Sequence, residues 1–173
     1  MDSTDHLLVR LTGAVAFCLN MAGFVVINER RTKLLLATCS ATWGAQYALL
    51  GQHTGLAIML LAACRQALSA YTIALPGHRR RLLAWVFTAA ALVVTALTWQ
   101  SPLASLLPMV ATIMGTWAFF VLSNTGMRKL TMVSNLVWAL HGYLFNSWEL
   151  CLTMLVLTAA TLIGLYRLEA AKP

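Results

Sequence analysis

Seven apolar runs alternate with short polar breaks along this chain. The first covers residues 7–27 and ends at NERRTK, residues 28–33. A second continues to residue 50, and a turn at Gly51-Gln52-His53 leads into a third, TGLAIMLLAACRQALSAYTIALP, residues 54–76. Pro76-Gly77 and the basic run His78-Arg79-Arg80-Arg81 precede a fourth at 82–99. Ser101-Pro102 separates it from a fifth at 105–122, and SNTGMRK, residues 123–129, precedes a sixth that reaches residue 145. The seventh follows the turn at 146–149 and ends near residue 166. The runs lack the strict alternation of strands, and each approaches the roughly 20 residues that a membrane-crossing helix needs. The pattern predicts an all-α membrane protein with seven transmembrane helices.

Composition agrees. The chain has 173 residues, 60% of them hydrophobic and 10% charged, with a mean hydropathy of +0.77. Soluble domains carry about 25% charged residues. The formal charge of +7 does not point to nucleic acid, because the basic residues sit in short clusters between apolar runs. Those clusters mark cytoplasmic loops by the positive-inside rule. Residues 28–33, 78–81 and 124–129 hold Arg30, Arg31, Lys33, Arg79, Arg80, Arg81, Arg128 and Lys129, whereas 51–53, 100–104 and 146–149 hold no Lys or Arg. The N-terminus is therefore expected outside and the C-terminus, with Arg167 and Lys172, in the cytoplasm. The acidic N-terminus lacks the basic n-region of a signal peptide, so the first run is read as a retained helix. The four cysteines are dispersed and read as small buried hydrophobes, without a metal site.

A shift of 96 residues takes Asn28 onto Asn124, Lys33-Leu34 onto Lys129-Leu130 and Tyr47 onto Tyr143. It lays helices one to three on helices five to seven and pairs Arg65 with Thr161. With helix four between them, the halves form two parallel triple-helix bundles joined by a linker helix: 1–75, 82–99 and 104–173. Helix four, poor in polar side chains, is expected to face lipid. Such internal repeats recur in transporters, with the substrate site near the midplane.

This 3+1+3 pattern resembles the superfamily of SWEET, PQ-loop and nicotinamide-riboside transporters. Pro108, early in helix five, is similar to the hinge prolines of SWEETs, although helix one has no counterpart and no Pro-Gln dipeptide occurs. The segment WGAQYALLGQHTGLAIMLLAACRQALS, residues 43–69, resembles the bacterial YgjV-type inner-membrane proteins in its aromatic and Gln late in helix two, its Gly-containing turn and its Arg in helix three. That resemblance implies an inner-membrane location and carries little function with it.

Helical spacing picks out polar faces inside the spans. Arg65, Ser69 and Thr72 share a face of helix three, with Gln66 beside it. Thr38, Thr42 and Gln46 align on helix two, with Trp43 and Tyr47 adjacent. Thr131, Asn135, Trp138 and His141 form a stripe on helix six; Thr158 and Thr161 lie on helix seven. Arg65 is the costliest of these, because a cation at mid-span is penalised by at least about 2.5 kcal/mol. Asp2, Asp5, Glu29, Glu149 and Glu169 all fall in termini or loops. Trp99 and Trp148 read as interface anchors. The expected cavity-lining set is Arg65, Gln66, Ser69, Trp43, Gln46, Asn135, Trp138, His141 and Thr161, with Pro108 as hinge. Threonines that bond their own backbone and polar side chains that tie helices together are the competing structural reading.

No HExxH, GxSxG or Walker motif and no intramembrane Asp pair occurs, and no Lys lies deep enough for a retinal Schiff base. Neither an enzyme nor a cofactor is expected. The residues favour a small-molecule facilitator embedded in the lipid bilayer, working by alternating access on a small polar or anionic solute, as a monomer or a homo-oligomer. The alternative is a non-transporting inner-membrane scaffold or regulatory protein.

Overall fold

In the computed structural model the chain is seven α-helices, and the structure describes residues 3–49, 53–99, 101–144 and 148–170, with the side chains of 3–6, 53–55 and 148–150 left aside. The expected turns at 51–52 and 146–147, the Trp148 and Glu149 side chains and Lys172 lie outside the described set. The helices are α1 (Ser3–Val25), α2 (Glu29–Leu49), α3 (His53–Tyr71), α4 (Gly77–Leu97), α5 (Pro102–Val121), α6 (Asn124–Leu144) and α7 (Trp148–Ala170). Among the described residues, stretches of α1, α4, α5 and α7 are long and apolar enough to cross a membrane, and Leu56–Tyr71 of α3 is a shorter apolar helix.

Several boundaries differ from those the hydropathy suggests. Asn28 caps α2, its Oδ1 accepting from Arg31 N at 3.0 Å, so the charged stretch after it is helix rather than loop. The segment 124–129 likewise opens α6, and 78–81 opens α4. Ser101 caps α5 by accepting from Ala104 N, with Pro102 at the first helical position, where its missing N–H costs nothing. Helix three stops at Tyr71, and a Leu75 N to Thr72 O turn carries the chain to Pro76.

The chain divides into two compact units, Met1–Tyr71 and Thr72–Pro173. In the first, α2 packs on both α1 and α3. The α1–α2 connection is tight: Thr32, fully buried, donates from Oγ1 to Val26 O at 3.0 Å. Close approach there depends on Gly23, where a Cβ would meet Leu36 Cδ2 at 2.9 Å and Cγ at 3.1 Å. Overpacking of this kind is destabilising. Gly23→Ala is expected to lower stability by about 1 kcal/mol in mixed-micelle equilibrium unfolding, whereas Gly77→Ala, which meets nothing within 4 Å, should cost less.

In the second unit, α6 packs on both α5 and α7, and α4 packs on α5. Helix four is not wholly given to lipid. Ala84, Thr88 and Ala91, spaced i, i+4 and i+7, are buried, and Trp85 and Phe87 make ring contacts with Trp117 and Phe120 of α5. Beyond the basic first turn, much of its remaining surface is exposed and apolar, with Leu82, Val86, Val93 and Leu97 outward.

Candidate functional site

The two units carry one internal hydrogen-bond framework. In the first, Cys39 Sγ of α2 donates to Ala16 O of α1 at 3.1 Å. In the second, Ser134 Oγ of α6 donates to Ala111 O of α5 at 2.9 Å. Both partners are related by a shift of 95 residues, not 96. The same shift takes the Thr32 N to Asn28 O bond onto Met127 N to Ser123 O. It also takes the Gln46 Nε2 bond to Val9 O, 3.1 Å, onto the hydrogen bond between the His141 ring and the Ala104 backbone. The Ala104 amide already donates to Ser101, so the carbonyl is the group His141 meets.

Burial follows the same register. Thr32, Lys33, Leu36, Cys39, Ser40 and Gly44 of α2 correspond to Met127, Arg128, Thr131, Ser134, Asn135 and Ala139 of α6, and all are buried. On α3, Arg65, Gln66, Ser69 and Ala70 correspond to Ala160, Thr161, Gly164 and Leu165 of α7, again all buried. The counterpart of Arg65 is therefore Ala160, and Thr161 matches Gln66. The 96-residue match scored identities such as Asn28 with Asn124, which fall one position out of structural register.

With the register corrected, Pro108 acquires a counterpart in helix one: Gly13. The two residues serve one end differently. At Gly13 a Cβ would stand 3.0 Å from Gln46 Nε2, so glycine clears the path to Val9 O. Proline has no N–H to offer the carbonyl four residues back, which is Ala104. That carbonyl is the one His141 reaches.

The structure brings some of the expected site residues together within each unit. Gln66 accepts at Oε1 from Ser40 Oγ at 2.8 Å, and Ser69 Oγ donates to Gln66 O at 2.7 Å. These two therefore tie α2 to α3 and stabilise α3 itself. Arg65 lies beside them with 8% of its surface exposed. Trp43 is half-buried, and Gln46 holds α1. In the second unit, Asn135 occupies the Ser40 position. Its Nδ2 is buried without a hydrogen-bond partner among the described residues, and Thr161 at the Gln66 position gives its hydroxyl to Leu157 O at 2.7 Å. The pair that closes on itself in the first unit stays open in the second. Trp138 and His141 are half-buried, edge to face at 5.8 Å. Thr38, Thr42, Thr116 and Thr158 bond carbonyls one turn back, a local back-bonding typical of helix threonines.

Two functional-looking residues escaped the sequence reading, which assigned them to loops. Lys33 is 1% exposed, with Nζ 2.8 Å from Glu29 Oε1 and 3.5 Å from Ser69 O. Arg128 is fully buried, its Nε donating to Asn124 Oδ1 at 3.1 Å. They are counterparts at 95, each a cation held by the side chain four residues before it. The i, i+4 pairing of Glu29 with Lys33 was the signal available in the sequence.

Comparison with known proteins places this architecture. Residues 7–172 match Imp-YgjV, described as a bacterial inner membrane protein family. Inner membrane protein YgjV of Escherichia coli (strain K12) is 30% identical over 146 residues, covering 81% of this chain and 73% of that relative. No solved structure matches. A match over nearly the whole chain, with apolar helices long enough to cross a bilayer, makes this protein a multi-pass member of the bacterial inner-membrane family Imp-YgjV.

Proposed function

We propose that the protein is a small-molecule facilitator of the inner membrane, built as two parallel triple-helix bundles with α4 as the linker. All seven helices cross the membrane in this reading, with the N-terminus outside and the C-terminus in the cytoplasm. One observation carries it. The two halves share a hydrogen-bond framework at a shift of 95 residues, yet their buried polar positions differ in chemistry: Arg65, Gln66 and Ser40 against Ala160, Thr161 and Asn135. Duplicated helical units with a site at their interface are a recurrent transporter plan. A scaffold needs the shared framework but gains nothing from a buried guanidinium and an open carboxamide. Both are costly in a bilayer.

The proposed solute is small and polar or anionic, since a guanidinium pairs with carboxylate or phosphate oxygens. Asn135 supplies a neutral donor, and Trp43, Trp138 and His141 supply flat walls. The chain holds no acidic side chain on these faces for a proton relay, so downhill exchange is the mechanism we assign. The scaffold reading draws its support from the Ser40–Gln66 and Ser69–Gln66 hydrogen bonds, which lie within the α2–α3 pair.

The test is thermal stabilisation of purified protein by a panel of hexoses, nucleosides and small carboxylate and phosphate anions, followed by uptake of any hit into liposomes. Arg65→Ala is expected to lower uptake by about tenfold, as loss of a charge-assisted hydrogen bond does, with folding retained. Uptake equal to that of empty vesicles across the panel would leave the scaffold reading in possession.

A further inference from the structure

The first unit closes its buried polar positions on one another, and the second does not. At the 95-residue shift Leu36, Ser40 and Gln66 correspond to Thr131, Asn135 and Thr161. Leu36 is apolar, and Ser40 bonds Gln66 directly at 2.8 Å. In the second unit Thr131 Oγ1 and Asn135 Nδ2 are both shielded from solvent, and neither has a hydrogen-bond partner among the described residues. Thr131 and Asn135 are each 7% exposed, and Thr161 is fully buried. Polar atoms left unmet at membrane depth are costly, so two of them one helical turn apart call for a shared partner.

The three positions meet at one seam. Ser134 is turned to α5, where its Oγ bonds Ala111 O. Asn135, one residue on and about 100° further round the helix, is turned to α7, as Ser40 is turned to α3. Thr131 lies one turn before Asn135 and between those two directions. Thr161 belongs to the buried face of α7, which packs on α6. Asn with Thr reaches one covalent bond less far than Ser with Gln, roughly 1.5 Å. Added to the 2.8 Å of the Ser40–Gln66 bond, that shortfall exceeds direct hydrogen-bond reach and suits a bridging molecule.

Donor and acceptor roles say which molecule. Asn135 Nδ2 only donates. Thr161 Oγ1 gives its hydrogen to Leu157 O, so towards a bridging molecule it accepts. An anion would satisfy Nδ2 but oppose the Thr161 oxygen, and a cation would do the reverse. Water accepts from one and donates to the other, and with Thr131 it gains the roughly three partners usual for a buried water. We infer that the α6–α7 seam holds one ordered water, bound by Thr131 Oγ1, Asn135 Nδ2 and Thr161 Oγ1. Helix seven is thereby fastened to α6 through an exchangeable molecule, where α3 is fastened to α2 directly. A carboxamide has two amide hydrogens, so a solute and the water can share Asn135, and the water site stands whether or not the protein transports.

The test is solid-state NMR transfer from water protons to isotope-labelled asparagine side-chain amides, on the full chain in bilayers of deuterated lipid. The Asn135 signal is assigned by its loss in Asn135→Ser. A soluble gadolinium chelate, too large for a one-water site, quenches contact with open solvent. Transfer to Asn135 is expected to survive the chelate, while transfer to exposed Asn28 is lost. Thr161→Gln should reach Asn135 directly, abolish the surviving transfer and leave the melting temperature at or above that of the native chain. Thr131→Val keeps the shape but removes one hydrogen bond, and should shorten the residence of the water about tenfold. Should Thr161→Gln fail to fold, Thr131→Val carries the comparison. No transfer to Asn135 in the native chain overturns the water. Quenching at Asn135 equal to that at Asn28 reveals an open aqueous cavity and overturns it equally. Native transfer and residence in both variants overturn the assignment of its ligands.

Discussion

Glu29→Ala is expected to destabilise the protein by about 3 kcal/mol, at the lower end of the range for breaking a buried ion pair. Lys33 is 1% exposed and its Nζ lies 2.8 Å from the Glu29 carboxylate. Removing that carboxylate takes away the shorter contact of a buried ammonium, whose Nζ stands 3.5 Å from Ser69 O. Glu29 keeps 22% of its side-chain surface in contact with solvent, so water can partly take its place, and the cost falls short of the full range. Glu29 also sits in the first turn of α2, where the helix dipole favours an anion. Glu29→Gln should be milder, because its amide oxygen still accepts; the second unit manages with neutral Asn124 against Arg128. Lys33→Met on the Glu29→Ala background should recover most of the loss, since a well-packed apolar replacement of both partners is often neutral. Equilibrium unfolding in mixed micelles reads all three. If Glu29→Ala and the double variant were equally unstable, the buried charge would not be the cause.

The same measurement separates the two registers of the repeat. At a shift of 96 the counterpart of Lys33 is Lys129; at 95 it is Arg128. Lys129 is exposed and Arg128 fully buried, so Arg128→Met should be felt and Lys129→Met should not. Identity was a poor guide here because membrane helices draw on few residue types. Leu, Ala, Val and Thr match by chance at almost any shift. Packing was the better guide, and it conserves position while allowing chemistry to vary: Cys39 with Ser134, Ser40 with Asn135, Gln46 with His141. Each pair keeps a polar atom in place while changing the residue, which no comparison of letters detects.

Hydropathy located the helices because the cost of exposing backbone polar groups in lipid leaves little alternative to a helix. It misplaced their ends wherever charge overlapped helix. Arg79–Arg81 and the stretch from Glu29 to Lys33 read as loop on polarity alone, yet they form first turns, because long basic side chains are good helix formers and Asn28 supplies the α2 cap. The shared faces were legible from spacing only in part: Arg65 and Ser69 on α3 and Thr131 and Asn135 on α6 are buried, whereas Trp138 and His141 are half-buried and Thr72, also buried, lies just past the end of α3. What those side chains bond was not legible, since Gln66 to Ser40 and His141 to Ala104 join different helices, and spacing along one helix carries no information about its neighbour.

His141 and Pro108 should behave as one element. In lipid a carbonyl released by proline must find another donor, and neighbouring side chains commonly supply it. Here Ala104 is released by Pro108 and taken up by His141. His141→Ala is therefore expected to cost about 2 kcal/mol, the penalty of an unmet buried acceptor. His141→Gln should restore much of it, because the first unit performs the same task with Gln46 on Val9. Pro108→Ala reinstates the amide at position 108, which can donate to Ala104 along the helix. On that background His141→Ala should cost under about 1 kcal/mol, which leaves a coupling of at least about 1 kcal/mol between residues that belong to different helices. Additive single-variant effects would show instead that His141 contributes by packing against Trp138 alone. Transport assays on the same variants then bear on the hinge. If α5 bends at Pro108 during exchange, Pro108→Ala should raise stability and slow uptake together, whereas His141→Gln should leave uptake near that of the native chain. The carbonyl that proline sets free would in that case be the latch, and His141 the catch that holds it in one state.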